Sequence, residues 1–155
     1  MSDFKTVIIR GPDGLPPRFD LAVDGYQLAE DDGLETAILL CLFTDARALP
    51  DDVLPDPNDT DRRGWCGDSY ADSPGIRFGS RLWLLERERE LPAVAQRAQI
   101  YAQEAVDWLA TTGVVERVVA EAAIIGTGVL GIAVSVYRPN RPARKYQFEH
   151  YWSAT

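Results

Sequence analysis

Asp56-Pro57-Asn58-Asp59-Thr60-Asp61 is the densest run of oxygen ligands in the chain. A helix-loop-helix calcium site needs oxygens at loop positions 1, 3 and 5, glycine at 6 and glutamate at 12. Counted from Asp56, position 6 is Asp61 and position 12 is Gly67, so the turn residue and the closing ligand are both missing. The run reads as a solvated acidic loop. Glycoside hydrolysis asks for two carboxylates, one kept protonated by an apolar pocket. Carboxylates are plentiful here, but no apolar pattern singles one out. A nucleophile with a histidine base could use only His150, the single histidine. It lies in an alternating stretch beside Phe148 and Trp152, the setting of a packed core or interface imidazole. Cys41 sits in an apolar helical run and reads as a small core hydrophobe. Cys66, between Trp65 and Gly67, has no basic neighbour to make it a nucleophile. Two cysteines and one histidine supply at most three ligands to a metal. Gly126, Gly128 and Gly131 fall between two strand patterns rather than ahead of a helix, which is not how a phosphate-cradling loop is built. No motif carries a reaction, and no cofactor or metal is expected.

The elements that hold these side chains belong to a chain of 155 residues, enough for one domain that buries roughly two thirds of its unfolded surface. Sixteen basic residues against 24 acidic ones give a net charge of -8. That balance argues against non-specific binding to nucleic acid or anionic membranes, since both need a cationic surface. The longest apolar run, residues 37–43, is far short of the roughly 20 residues of a membrane span. The first residues lack a basic-then-apolar order, so no secretory signal is expected and the chain reads as soluble and made in the cytoplasm. The acids crowd into the first half: residues 1–80 carry 16 acids and 7 bases, residues 81–155 carry 8 and 9. Such asymmetry suits a subunit that meets different neighbours on different sides.

Thr6 through Arg10 is a short β-branched run closed by the turn cluster Gly11-Pro12-Asp13-Gly14, and Phe19 through Val23 is a second, alternating one. The two are expected to pair. Asp32, with Glu35 three residues on, predicts a helix cap. The helix over 34 to about 46 is apolar almost all round, so it must be covered on most sides, in part by a partner. Residues 47–80 hold four prolines, four glycines and seven aspartates but also Trp65, Tyr70 and Phe78. That mixture predicts a long, ordered, irregular loop anchored by Trp65. Ser80 is expected to cap a helix over 81–90, and Pro92 to open a longer one that ends at Gly113. Three strands follow, over about 114–125, 129–138 and 143–152, joined by Gly126-Thr127-Gly128 and by Pro139-Asn140-Arg141-Pro142. Leu130, Ile132, Val134 and Val136 line one face of the second. Tyr146, Phe148, His150 and Trp152 line one face of the third. The fold expected is α+β: a single small domain over 1–155, mainly antiparallel sheet with strands from both chain ends, packed with about three helices.

Five stretches, in order and spacing, resemble one family. They are Asp20-Leu21-Ala22 with Asp24-Gly25; Asp31-Asp32-Gly33-Leu34-Glu35-Thr36-Ala37; Leu42-Phe43-Thr44-Asp45; Arg62-Arg63-Gly64-Trp65 with Gly67-Asp68; and Gly79-Ser80-Arg81-Leu82-Trp83-Leu84-Leu85. The family is the Mu-type phage tail family of baseplate wedge proteins, counterparts of the sheath initiator in contractile tails. Gly79-Ser80-Arg81 also resembles a Gly-x-Arg stretch of sheath initiators more widely. The chain departs from the family at Cys66, where a second tryptophan is expected. The resemblance implies a non-enzymatic virion protein of the tail baseplate, assembled in the host cytoplasm. Its implied partners are wedge proteins, the tail sheath subunit and the spike or tube hub, with no nucleic acid and no membrane.

On that reading Trp65, Arg81, Trp83, Glu86, Arg87 and Arg89 meet wedge partners, and Arg144 and Tyr146 lie on an edge offered to a sheath subunit. Two rivals remain: a small tail-associated peptidoglycan hydrolase using acids of the loop, and a free prophage-encoded regulator of a host protein.

Overall fold

The computed structural model describes residues 3–4, 6–9, 18–24, 27–28, 30–31, 33–70, 77–88 and 92–151. The turn at 11–14, the Asp32 cap, Arg89 and Trp152 lie outside them. Contacts divide the chain into two compact units, Met1–Leu40 and Cys41–Thr155.

The first unit is a set of nested antiparallel pairs. β1 (Asp3–Phe4) pairs with β6 (Glu30–Asp31), β2 (Thr6–Ile9) with β3 (Arg18–Leu21), and β4 (Val23–Asp24) with β5 (Gln27–Leu28). The 6–10 and 19–23 runs therefore pair as the alternation predicts, in the register Thr6 to Leu21. They do not join the C-terminal strands: among the described residues they form two-stranded sheets of their own, so the sheet shared between both chain ends is not found.

α1 (Leu34–Phe43) begins where the Ala37 N–H donates to Gly33 O, which makes Gly33, at φ +76°, the residue before the helix. Ile38, Leu39, Cys41 and Leu42 are buried, so the chain itself covers most of this apolar helix; Leu40 is the large side chain left partly outside. The helix stops at Phe43, three residues earlier than expected, because the Ser80 N–H donates to Thr44 O and Ser80 O accepts from the Ala46 N–H. Those two bonds pull 44–46 into a parallel bridge.

In the second unit, α2 (Pro92–Val106) and the short α3 (Trp108–Thr111) replace one continuous helix, with Asp107 at the break. Val94, Ala98, Ala102, Ala105 and Val106 form the buried stripe of α2. The predicted 81–90 helix is instead a 3₁₀ turn over Leu82–Leu85. Its bonds run three residues back, from the Leu84 N–H to Arg81 O and from the Glu86 N–H to Trp83 O, and all four of its residues are buried. β7 (Arg117–Gly126), β8 (Val129–Tyr137) and β9 (Arg144–Tyr151) form the expected antiparallel meander. Leu130, Ile132, Val134 and Val136 are all buried on one face, as are Tyr146 and Phe148.

His150 continues that core face and stacks on Phe43, ring centroids 5.8 Å apart. Burial pushes its pKa below the ordinary 6.5, against the opposing pull of Glu86 and Asp45. The unfolded chain therefore takes up a proton on this imidazole at a pH where the folded chain does not. Stability should be flat above pH 6.5 and fall as the pH drops below it. His150→Phe should flatten that acid limb in urea unfolding at pH 7 and pH 5.5; equal limbs in both proteins would remove His150 from the account.

Candidate partner-binding surface

The long loop is held by arginines. Arg62 donates from Nη2 to Pro50 O at 3.0 Å and from Nη1 to Leu49 O. Arg63, at φ +50°, donates to Asp45 Oδ2 at 2.8 Å and to both carboxylate oxygens of Glu86 at 3.3 Å. Its guanidinium lies 4.3 Å from the centre of the Trp83 ring. Arg81 donates to both oxygens of Asp52, at 2.9 and 3.0 Å, and to Glu104 at 2.6 Å, over the face of Tyr101. Arg87 reaches Asp56 at 3.2 Å. Of the acidic run 56–61 only Asp56 meets a base, 31 residues away; Asp59 and Asp61 accept from the Asp61 and Arg63 N–H and stay exposed, as a solvated loop should. Backbone bonds complete the strap: the Ala48 N–H donates to Arg62 O, and the Phe78 N–H to Asp68 Oδ1.

Gly79 explains why the loop returns so tightly. It holds φ +102°, and a Cβ there would stand 2.5 Å from Thr44 O. Ser80 beside it is buried; its Oγ donates to Leu42 O at 2.5 Å, closing a carbonyl at the end of α1. Trp83 donates from Nε1 to Ala46 O at 2.8 Å. The Gly79-to-Trp83 stretch is therefore an internal brace.

This placement sorts the candidate interface residues. Trp83 and Tyr146 are 3% and 7% exposed, and the Arg81 side chain 14%, so their surfaces are spent inside the chain. Trp65 is 47% exposed and packs within its own loop, on Phe78 at 5.0 Å and over Gly67, where a Cβ would collide with the indole. It is not what anchors the loop; Arg62, Arg63 and Arg81 are. Glu86, Arg87 and Arg144 keep large parts of their side chains outside.

The loop carboxylates are arranged for pairing rather than for proton transfer. The Asn58 N–H and Arg87 hold the Asp56 carboxyl below the usual carboxylate range, opposite to the shift a general acid requires. Burial pushes the Cys41 thiol up, with Trp108 Nε1 donating to its sulfur at 3.2 Å. Among the described residues no group of three or more His, Cys, Asp or Glu could hold a metal, and no helix is long and apolar enough to cross a membrane.

The three-stranded sheet has unlike edges. On β7 the Gln103 side chain, from α2, donates to Val118 O at 3.2 Å and accepts from the Ala120 N–H at 2.7 Å. One amide thus imitates a neighbouring strand, a feature that hydropathy periodicity cannot reveal. Because Val118 and Ala120 point away from β8, alternation across the register turns Tyr146 and Arg144 toward β8 and Lys145 and Gln147 outward. No described strand pairs with the outer side of β9.

A family model described as phage protein GP46 matches residues 34–143. The chain belongs to the GP46 family. The matched GP46 region runs from α1 through the arginine-held loop and α2 to the end of β8, so the nested N-terminal pairs and β9 lie beyond it. Baseplate protein gp46 of Escherichia phage Mu is 45% identical over 132 residues, 85% of this chain and 88% of the relative. The Mu-like prophage FluMu protein gp46 of Haemophilus influenzae is 36% identical over 134 residues, 86% of this chain and 90% of the relative.

Proposed function

We propose that this chain is a structural component of the baseplate of a contractile phage tail or a related injection particle. In this reading it joins wedge proteins around the hub and starts sheath assembly, as the counterpart of a sheath initiator. The observation that carries the baseplate role is the relationship to the Mu baseplate protein across most of both chains. The finer role draws on the sheet: β7 is capped by Gln103 at Val118 and Ala120, and no described strand pairs with the outer side of β9, the edge proposed for strand addition by a sheath subunit. Trp65, Glu86 and Arg87, on the outer side of the braced loop, are the contacts proposed for wedge neighbours, with Arg89 after them; Arg144 marks the sheath side. The location proposed is the virion tail, reached by assembly in the host cytoplasm. A hydrolase reading finds Asp45, Asp52 and Asp56 tied up in ion pairs.

Tagged chain purified from producing cells should bring down tail-shaped particles containing wedge, hub and sheath proteins by mass spectrometry. Gln147→Pro removes an outward N–H on an edge strand, so it should cost no more than about 1 kcal/mol of stability. It should yield baseplates that contain the subunit yet carry no sheath. Normally sheathed tails from this variant would refute the β9 assignment, and a wild-type chain absent from particles would refute the baseplate role.

A further inference from the structure

A cleft of about 440 Å³ opens in the second unit between the start of the loop, the Gly79 turn and α2. Leu49 and Tyr101 supply its apolar wall, Arg47 and Arg77 its rim, and Arg81 with Glu104 a paired charge on one side. The two rim arginines differ from the other arginines of this region, of which Arg62 is spent on the Leu49 and Pro50 carbonyls and the rest on acids. Arg63, Arg81, Arg87 and Arg97 each have a carboxylate partner. Among the described residues Arg77 has no ion pair, and Arg47 has only a long 3.4 Å bond to Arg63 O.

Their backbones are nonetheless fixed. Arg47 lies between Ala46, bonded to Ser80 O, and Ala48, bonded to Arg62 O; Gly64 packs against its Cβ. Arg77 precedes Phe78, held by Asp68, and Gly79, wedged against Thr44. In a chain of net charge -8, two arginines on fixed backbone and without carboxylate partners thus line one cleft with Leu49 and Tyr101.

We propose that this cleft docks an acidic segment of another tail polypeptide: an apolar side chain against Leu49 and Tyr101, flanked by carboxylates that pair with Arg47 and Arg77. Charge complementarity selects this occupant. The two unpaired positive charges are confined to the cleft, which suits a short acidic segment; the phosphates of a nucleic acid extend beyond it, over the rest of a chain of net charge -8. The inference rests on the chain's being an assembly subunit but not on which edge of its sheet is used.

The test is an array of overlapping peptides from the baseplate, hub and sheath proteins of the same particle, probed with the full chain. Bound peptides should combine an aliphatic or aromatic residue with nearby Asp or Glu. Binding should weaken at least about tenfold in Arg47→Glu/Arg77→Glu, survive in Arg47→Lys/Arg77→Lys and decline with salt. Thermal unfolding of both double variants checks that they remain folded. No acidic preference, equal binding by the Glu variant, preference for an oligonucleotide, or self-association through this face would each overturn the proposal. A wild-type chain missing from particles but still binding acidic peptides would instead count against the assembly role alone.

Discussion

Gly79→Ala should unfold roughly 6–12 °C below the wild type, a loss of about 3 kcal/mol. Two costs add. The residue holds φ +102°, where an L side chain is strained, and the new Cβ would stand 2.5 Å from Thr44 O and 2.9 Å from Ala46 N. Both neighbours are backbone atoms in the Ser80 bridge, so relief means breaking the bonds between Ser80 and 44–46. Circular dichroism melts of the purified chain suffice. A midpoint within about 2 °C of the wild type would show that the turn can move without strain.

Arg81→Ala should cost a similar amount, about 3 kcal/mol, for a different reason. Asp52 and Arg81 are only 13% and 14% exposed at the side chain, so the deletion leaves a carboxylate facing protein rather than water. Glu104 is half exposed and adds little, because solvent screens it. The signature is non-additivity. Arg81→Met/Asp52→Leu should recover most of the loss, since removing both members of a buried pair is far cheaper than removing one. A double variant as unstable as the sum of the singles would mean that packing on Tyr101, not charge, is what Arg81 contributes.

The parts of the fold legible in the sequence are those set by local period. Alternation over 129–136 and 144–151 gave strands with the right inward faces, and Gly126-Thr127-Gly128 and the Pro139 turn gave their order. The apolar helix after Gly33 was equally plain, though its end was not, because Thr44 is claimed by a bond from Ser80, 36 residues on. The same limit hid the candidate site. Nothing local pairs Arg81 with Asp52, Arg63 with Asp45 or Arg87 with Asp56, or lays Arg63 on Trp83. Over 82–85 the sequence shows only that apolar residues run together; it does not show the three-residue bonds of the turn or the Trp83 Nε1–H bond to Ala46 O.

Gln103 sets the valence of the sheet. By closing β7 at Val118 and Ala120 it leaves only the short distal part of that strand, which ends in the irregularity between Ile124 and Gly126. Such an edge is a poor template for another chain. One side-chain amide thus gives a three-stranded sheet a direction: a further strand meets bonded backbone at Val118 and Ala120 on one side and, among the described residues, unpaired backbone on the other.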